Sequence, residues 1–346
     1  MMNVQRYFRQ VVPVVLLMAA FHLSGGVASA DDEDLKWDDS APACAQTSQV
    51  ALKGCQATVR GGYWLAMGTC ANLSGASEKA DCLTKARRNL DSQLNGCNAQ
   101  FTARNEICKE LGEGAYDPEL ARRGFIKNVK NVTGNLYFPL TPGLFLTYKK
   151  VAPDGNDTNQ RILVDVTNQQ KKILGVTCRA VWNVTRTTEG ELKESTLRWY
   201  AQDKEGNVWN FAEISQQFEQ GLLAGNEGFW DAGVNRAMPG ISMVVDPKNY
   251  PGKAFRQQFY LGKAENVSRV VGMVDRLPAL QKKPRLPEAV HGPYLHTQEF
   301  SPLDPGSLSA PVNKFYAPGV GLVLTVAPDG RHEVLVGIEK RLAGIY

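Results

Sequence analysis

Apolar positions follow two different periods along the chain. Between residues 44 and 111 they recur at three- or four-residue steps, as at Ala86, Leu90 and Leu94, which is typical of one face of an α-helix. From residue 136 onward they alternate with polar positions, and turn signals such as Pro153–Asp157 and Asp203–Asn207 separate the runs. The pattern predicts an α+β protein in which an antiparallel helical hairpin precedes a larger antiparallel β domain of roughly nine to twelve strands. We expect that β domain to be a curved sheet, a half-barrel or a sandwich.

Three segments depart from these periods. Residues 112–135 are polar and contain glycine, and we expect a linker between the hairpin (44–111) and the β domain (136–346). Ile214–Leu223 is the one part of the β region with a helical period. Leu277–Leu295 is rich in proline and carries Lys282, Lys283 and Arg285, which predicts a long exposed loop.

The N-terminus has the pattern of a secretory signal. Arg6 and Arg9 precede a mainly apolar run of 13 residues, Val11–Leu23, and Ala28-Ser29-Ala30 fits a cleavage site. We therefore expect residues 1–30 to be a signal peptide, 31–43 to be an acidic flexible segment, and the mature protein to be periplasmic or secreted. The alternative is an uncleaved anchor. No later stretch reaches 18 apolar residues, so no transmembrane segment is expected after cleavage.

Six of the seven cysteines form a palindromic series. Their successive separations are 11, 15, 12, 15 and 11 residues, so cysteines equidistant from the centre face each other in an antiparallel hairpin. Gly75 and Ala76 mark the turn, and Gly61-Gly62 is expected to kink the first helix. The spacing predicts three nested disulfides, which join Cys44 to Cys108, Cys55 to Cys97 and Cys70 to Cys82.

The competing interpretation of the cysteines is a metal cluster. Structural zinc sites show closely spaced CxxC pairs, and the sequence contains none, so no metal is expected. Cys178 remains outside the series in a segment typical of a buried strand, and an inert buried thiol is the preferred interpretation. An intermolecular disulfide or a reactive thiol are its alternatives.

Charge and motifs narrow the function classes. The formal net charge is +4, and removing the two signal-peptide arginines leaves +2, so nucleic acid is a poor candidate partner. His291 and His296 are five residues apart in the loop and favour an incidental solvated pair over a metal site. Asp203, Glu205, Glu213 and Asp231 are candidates for a pair of glycosidase carboxylates. Asp203 and Glu205 occupy a predicted turn, however, which favours surface turn chemistry. With no recognised catalytic or cofactor motif, we expect a protein that is not an enzyme and has no cofactor.

Aromatic residues are frequent along the predicted strands. Adjacent strand residues such as Trp199 and Tyr200 face opposite sides of a sheet, so either both sides are covered or one aromatic face lines a ligand cavity. The candidate ligand-binding residues are Trp182, Trp199, Trp209, Trp230, Tyr260 and Tyr316.

Five segments carry a resemblance to known proteins. LYFPLTPG (136–143), WYAQDKEGNVWNFAE (199–213) and KFYAPGVGLVL (314–324), with FWDAGVNRAMPGI and EFSPLDPG between the last two, resemble a family of secreted bacterial proteins of unknown function. That family has YFPL-x-PG, WYAQD-x-x-G-x-VW and YAPGVGL segments, and the resemblance spans roughly 135–340. The YAPGVGL segment also resembles strands of periplasmic half-barrel proteins that curve around an apolar cavity. The family implies no catalytic residues.

These observations favour an extracytoplasmic binding protein that holds an apolar or amphipathic ligand on a curved sheet. Its partner is then an apolar small molecule. The alternative is a structural or assembly module of the cell envelope, which acts through contacts of the hairpin or the loop with another envelope protein. A hydrolase with unrecognised carboxylates is the least favoured hypothesis.

Overall fold

A computed structural model describes residues 40–126, 134–226, 228–278 and 285–341. The predicted signal peptide and most of the acidic segment lie outside these ranges, as does the centre of the predicted proline-rich loop. The described chain contains two long helices followed by a 15-stranded antiparallel sheet that is nearly closed and barrel-shaped. The predicted α+β fold with a curved sheet is therefore confirmed.

The hairpin consists of α1 (Ala43–Ala71) and α2 (Ala76–Leu111). The model joins Cys44 to Cys108, Cys55 to Cys97 and Cys70 to Cys82, with Cα atoms 5.5–5.8 Å apart, which is the pairing that the palindrome predicts. Helix α1 runs without interruption through Gly61 and Gly62, so the kink expected there does not break the helix. Helix α2 ends before Gly112, whose positive φ of 96° suits glycine.

A short helix, α3 (Leu120–Arg123), lies in the predicted linker. The strands that follow are β1 (Leu144–Val151), β2 (Asp157–Ile173), β3 (Val176–Thr187), β4 (Leu192–Gln202), β5 (Val208–Glu219), β6 (Leu222–Gly225), β7 (Trp230–Asp231), β8 (Met238–Met243), β9 (Ala254–Arg256), β10 (Gln258–Phe259), β11 (Val267–Val274), β12 (Tyr294–Phe300), β13 (Val312–Ala317), β14 (Gly321–Val326) and β15 (His332–Lys340). Ile214–Leu223 forms the end of β5, a turn and the start of β6, so the helical interpretation of that segment is wrong. Pairing with β4 decides its conformation, because tertiary contacts override a short local period.

The strand order is β10-β8-β5-β4-β3-β2-β1-β15-β14-β13-β12-β11-β9, and β6 and β7 pair with β5 outside this series. The two end strands of the series, β9 and β10, are consecutive in the chain. Strand β9 pairs with β11 at one end of the sheet, and β10 pairs with β8 at the other end. One short segment, 254–259, therefore bridges both ends of the sheet. A Cβ atom at Gly240 would overlap the backbone of that segment, so the close approach at this point requires glycine.

Apolar residues are buried on both faces of the sheet. The inner core includes Leu146, Tyr148 and Leu324, together with Tyr137 and Leu140 from the segment before β1. A second group, the outer cluster, lies on the opposite face around Trp209 and Phe211 and is covered in part by Leu120 and Phe125 of the 112–126 segment. In the part of the chain that the structure describes, no helix has the length and hydropathy needed to cross a membrane.

Candidate functional site

The interior of the barrel-shaped sheet contains a cavity of about 370 Å³. Strand β4 shows how the sequence builds it: Glu194, Thr196, Arg198 and Tyr200 alternate with outward residues and line the cavity. Six residues of strand separate Glu194 from Tyr200, which corresponds to roughly 20 Å at about 3.3 Å per residue. The cavity is therefore elongated, and its volume lies in the range of small-molecule sites.

One wall of the cavity is apolar. It is formed by inward side chains of β1, β2 and β3, and the register places Leu146 of β1 opposite Val164 of β2. Residues 137–140 cover the end of the cavity near Tyr200, where the rings of Phe138 and Tyr200 are 5.0 Å apart. The apolar wall comprises Leu144, Leu146, Ile162, Val164, Val166 and Val181.

The facing wall is charged and internally paired. The Arg198 guanidinium donates two hydrogen bonds of 2.9 Å to the Glu213 carboxylate. Lys314 Nζ lies 2.5 Å from Glu299 Oε2, and Gln257 Nε2 donates to Glu299 Oε1 at 2.8 Å. Bidentate and charge-assisted contacts of this kind fix side-chain orientation, so the polar wall is preorganised.

A second group of charged residues lines the cavity away from Tyr200. Lys150 Nζ lies 3.9 Å from Glu333 Oε1, and these side chains are 34% and 32% exposed. Tyr200 and Tyr316 are buried by comparison. The exposure increases toward the end that carries Lys150, Glu333 and Glu194, which identifies that end as the more accessible one.

Burial sets the protonation of the cavity tyrosines. It raises the pKa of Tyr200 to about 12, and it raises the pKa values of Tyr148 and Tyr316 further. For Arg198, burial alone would lower the pKa, but the Glu213 carboxylate beside it holds the pKa above its usual value. The cavity therefore presents neutral phenols, and its guanidinium stays charged.

The six aromatic residues predicted to bind a ligand do not lie together. Tyr316 lines the cavity, whereas Trp182 lies between the inward residues Val181 and Asn183 and faces the other side, where its Nε1 donates to Ser195 Oγ at 2.9 Å. Trp199, Trp209, Trp230 and Tyr260 belong to or pack against the outer cluster. Both faces of the sheet are covered, so aromatic residues on opposite faces serve two different cores.

The outer cluster is held by a buried polar contact. Trp209 Nε1 donates to Asp203 Oδ2 at 2.9 Å, and the backbone amide of Asn207 donates to Asp203 Oδ1 at 2.8 Å. The Phe125 ring lies 6.1 Å from the Trp209 ring and 5.4 Å from the Phe211 ring. Asp203 lies in a turn as predicted, but it is fully buried, so the expectation of a surface position is wrong: its carboxylate is needed inside as the acceptor for Trp209 and Asn207.

The comparisons with known proteins give no assignment. No family model and no curated protein matches the sequence. A solved structure of a putative lipoprotein from Parabacteroides distasonis ATCC 8503 matches over 60% of this chain and 99% of that chain, with 11% identity and a TM-score of 0.28. A likeness of this size supports no conclusion about fold or function.

The expectation that His296 lies in a loop is wrong, because His296 belongs to β12. Its half-buried ring stacks on Phe315 with ring centroids 4.5 Å apart, and its Nε2 lies 2.8 Å from Asn313 Oδ1. Among the described residues, no three His, Cys, Asp or Glu side chains come together as a metal site. Cys178 is a buried free thiol, and burial raises its pKa to about 12.

Sequence reasoning considered Glu213 only as a possible glycosidase carboxylate, and it missed Glu194 and Arg198 of the cavity. Glu194 and Arg198 lie on strand β4, where they alternate with outward residues such as Leu197 and Trp199. Such an alternation ordinarily indicates a solvated face, so it indicates a polar cavity only when the sheet is known to close.

Proposed function

We propose that this protein is an extracytoplasmic, non-catalytic binding protein that encloses an amphipathic small molecule within its barrel-shaped sheet. The observation that carries the proposal is the elongated interior cavity, in which an apolar wall on β1, β2 and β3 faces a charged wall on β4, β5, β12 and β13. A ligand with a hydrocarbon part and a polar part matches both walls at once.

The state of the charged wall supports binding rather than catalysis. Arg198 and Lys314 are each paired with a carboxylate, Glu213 and Glu299 respectively. Groups held in such pairs orient a polar ligand but are not poised to exchange protons with a substrate. The three disulfides are compatible with an oxidising compartment, and the predicted signal peptide supports an extracytoplasmic location.

The proposal is tested by filling the cavity. The Val164→Trp variant introduces an indole into the apolar wall, and we expect it to abolish binding of Nile red, a neutral fluorescent probe of apolar sites. The Lys172→Trp variant adds the same side chain at an exposed position of the same strand, and it should bind the probe like the wild type. Circular dichroism establishes that both variants fold.

Native mass spectrometry of the mature protein from its own host then identifies the cargo. A stable additional mass that organic extraction removes, and that Val164→Trp lacks, supports the proposal. Equal probe binding by Val164→Trp and the wild type would overturn it, because the cavity would then not be the binding site.

A second candidate function is that of an envelope assembly module. It is favoured by one observation, the exposure of Trp64 and Leu65 on α1, which are 68% and 77% exposed. A photo-crosslinking residue placed at position 64 in the native host should capture a defined protein, whereas the same residue at Arg88 on α2 should not. If position 64 captures nothing, or captures the same proteins as position 88, this candidate fails.

A further inference from the structure

The cavity lining contains one more carboxylate than it has basic groups. Its acidic residues are Glu194, Glu213, Glu299 and Glu333, and its basic residues are Lys150, Arg198 and Lys314. Three of the carboxylates have a basic partner, namely Glu213 with Arg198, Glu299 with Lys314, and Glu333 with Lys150. Among the described residues, Glu194 alone of the four has none.

Glu194 is nevertheless held in a defined position. Its Oε1 accepts hydrogen bonds from Thr196 Oγ1 at 3.0 Å and from Ser215 Oγ at 3.4 Å, and these two hydroxyls lie 2.9 Å apart. Hydroxyl groups orient a carboxylate but leave its charge uncompensated. The Glu194 carboxylate can therefore contact a cationic group of a ligand without the loss of an existing ion pair.

The surroundings of Glu194 connect it with the apolar wall. The register places Thr185 of β3 opposite Glu194, and Ile162 of β2 opposite Thr185. Val164 and Leu146 continue the apolar wall from Ile162 toward Tyr200. A group bound at Glu194 therefore stands at the accessible end of the cavity, with the hydrocarbon wall extending inward from it.

We propose that the ligand is an amphipathic cation, whose ammonium group contacts Glu194 and whose hydrocarbon chain lies along Ile162, Val164 and Leu146. The proposal rests on the proposed function and specifies its ligand class. An anionic amphiphile such as a fatty acid fits less well, because its carboxylate would meet the like charge of Glu194 and the three basic groups of the lining already have partners. A neutral amphiphile leaves the charge of Glu194 uncompensated.

Three probes with the same alkyl chain separate these possibilities. Dodecylamine, dodecanol and dodecanoate are each titrated against the protein with bound Nile red at low ionic strength. We expect dodecylamine to displace Nile red at the lowest concentration and dodecanoate at the highest.

The Glu194→Gln variant should weaken dodecylamine about 10- to 100-fold, as expected for one charge-assisted contact, and leave dodecanol unchanged. The matched control is Glu191→Gln, which removes an exposed carboxylate of the same hairpin that pairs with Lys193. It should bind all three probes like the wild type.

The outcomes distinguish the two proposals. If Nile red does not bind the wild-type protein, the proposed function fails. If Nile red binds and none of the three probes displaces it, the cationic ligand is excluded while binding in the cavity stands. If the probes bind but dodecylamine is no better than dodecanol, or if Glu194→Gln weakens dodecylamine and dodecanol equally, the cationic ligand is excluded while binding in the cavity stands.

Discussion

Arg104 of α2 and Glu265 of the loop before β11 form a buried ion pair that joins the hairpin to the sheet. Arg104 Nη2 lies 2.7 Å from Glu265 Oε1, Arg104 Nε lies 3.0 Å from Oε2, and the two side chains are 5% and 1% exposed. The backbone amide of Gly262 also donates to Glu265 Oε1 at 2.8 Å. Ile107 of α2 packs with Val267 of β11 and Phe300 of β12 in a small apolar cluster. The hairpin is therefore joined to the β domain by a buried ion pair and by an apolar cluster.

Breaking this ion pair should destabilise the protein strongly. Glu265→Ala leaves the Arg104 guanidinium buried without its counter-ion, and we expect the free energy of unfolding to fall by about 3–5 kcal/mol. Urea denaturation followed by circular dichroism measures the change.

The control for that variant is Glu110→Ala, which removes the partner of Arg269 at the same junction. That pair is partly exposed, so its loss should cost no more than about 1 kcal/mol. Equal costs for Glu265→Ala and Glu110→Ala would show that the buried pair does not hold the hairpin in place.

Trp209→Ala should act on stability and not on ligand affinity. Trp209 lies in the outer cluster and is 1% exposed. Its replacement by alanine creates a cavity there and also removes the indole group that donates a hydrogen bond to the Asp203 carboxylate. We expect a cost of about 3–5 kcal/mol in the free energy of unfolding. The folded fraction should bind Nile red with unchanged affinity, since Trp209 lies on the face opposite the cavity.

Thermal unfolding and a Nile red titration at low temperature separate the two effects of Trp209→Ala. Trp182→Ala serves as the comparison, because Trp182 also faces outward but is only half-buried. A loss of affinity without a loss of stability in Trp209→Ala would place the binding site in the outer cluster.

The hairpin could be predicted in detail from the sequence because the spacing of the cysteines along two consecutive helices determines which of them can pair. The separations of Cys44, Cys55 and Cys70 from their partners are fixed by helical rise and by a single turn. Alternation likewise predicted that Trp199 and Tyr200 face opposite sides of a sheet.

Alternation could not show which of those two sides is the inside. Tyr200 lines the cavity and Trp199 packs outside because β9 and β10 join the two ends of the sheet, and that closure is a pairing between residues distant in sequence. The polar cavity wall was missed for the same reason, since Arg198 and Glu213 have the appearance of a solvated face until the sheet curves around them.

Cys178 should be unreactive in the folded protein. The thiol is buried and donates to the Val176 carbonyl oxygen at 3.6 Å, and burial raises its pKa to about 12, so little thiolate forms at pH 8. Iodoacetamide should label no cysteine of the native protein and one cysteine in denaturant. Intact mass spectrometry should give a value six hydrogens below the fully reduced chain. Labelling of the native protein, or a disulfide-linked dimer with a mass fourteen hydrogens below two reduced chains, would contradict the assignment of Cys178 as a free thiol.

The buried tyrosines should make the protein sensitive to alkali. Burial raises the pKa of Tyr200 to about 12, whereas a tyrosine in the unfolded chain has a pKa of about 10. Between these values the unfolded chain loses a proton that the folded chain keeps. The contribution of Tyr200 is therefore complete below about pH 10 and declines as the pH rises toward 12. Phenolate absorbance should rise later in the native protein than in denaturant, and the free energy of unfolding should decrease over the same range. Tyr200→Phe removes one titrating group and should make that decrease shallower; an unchanged slope would mean that Tyr200 ionises equally readily in both states.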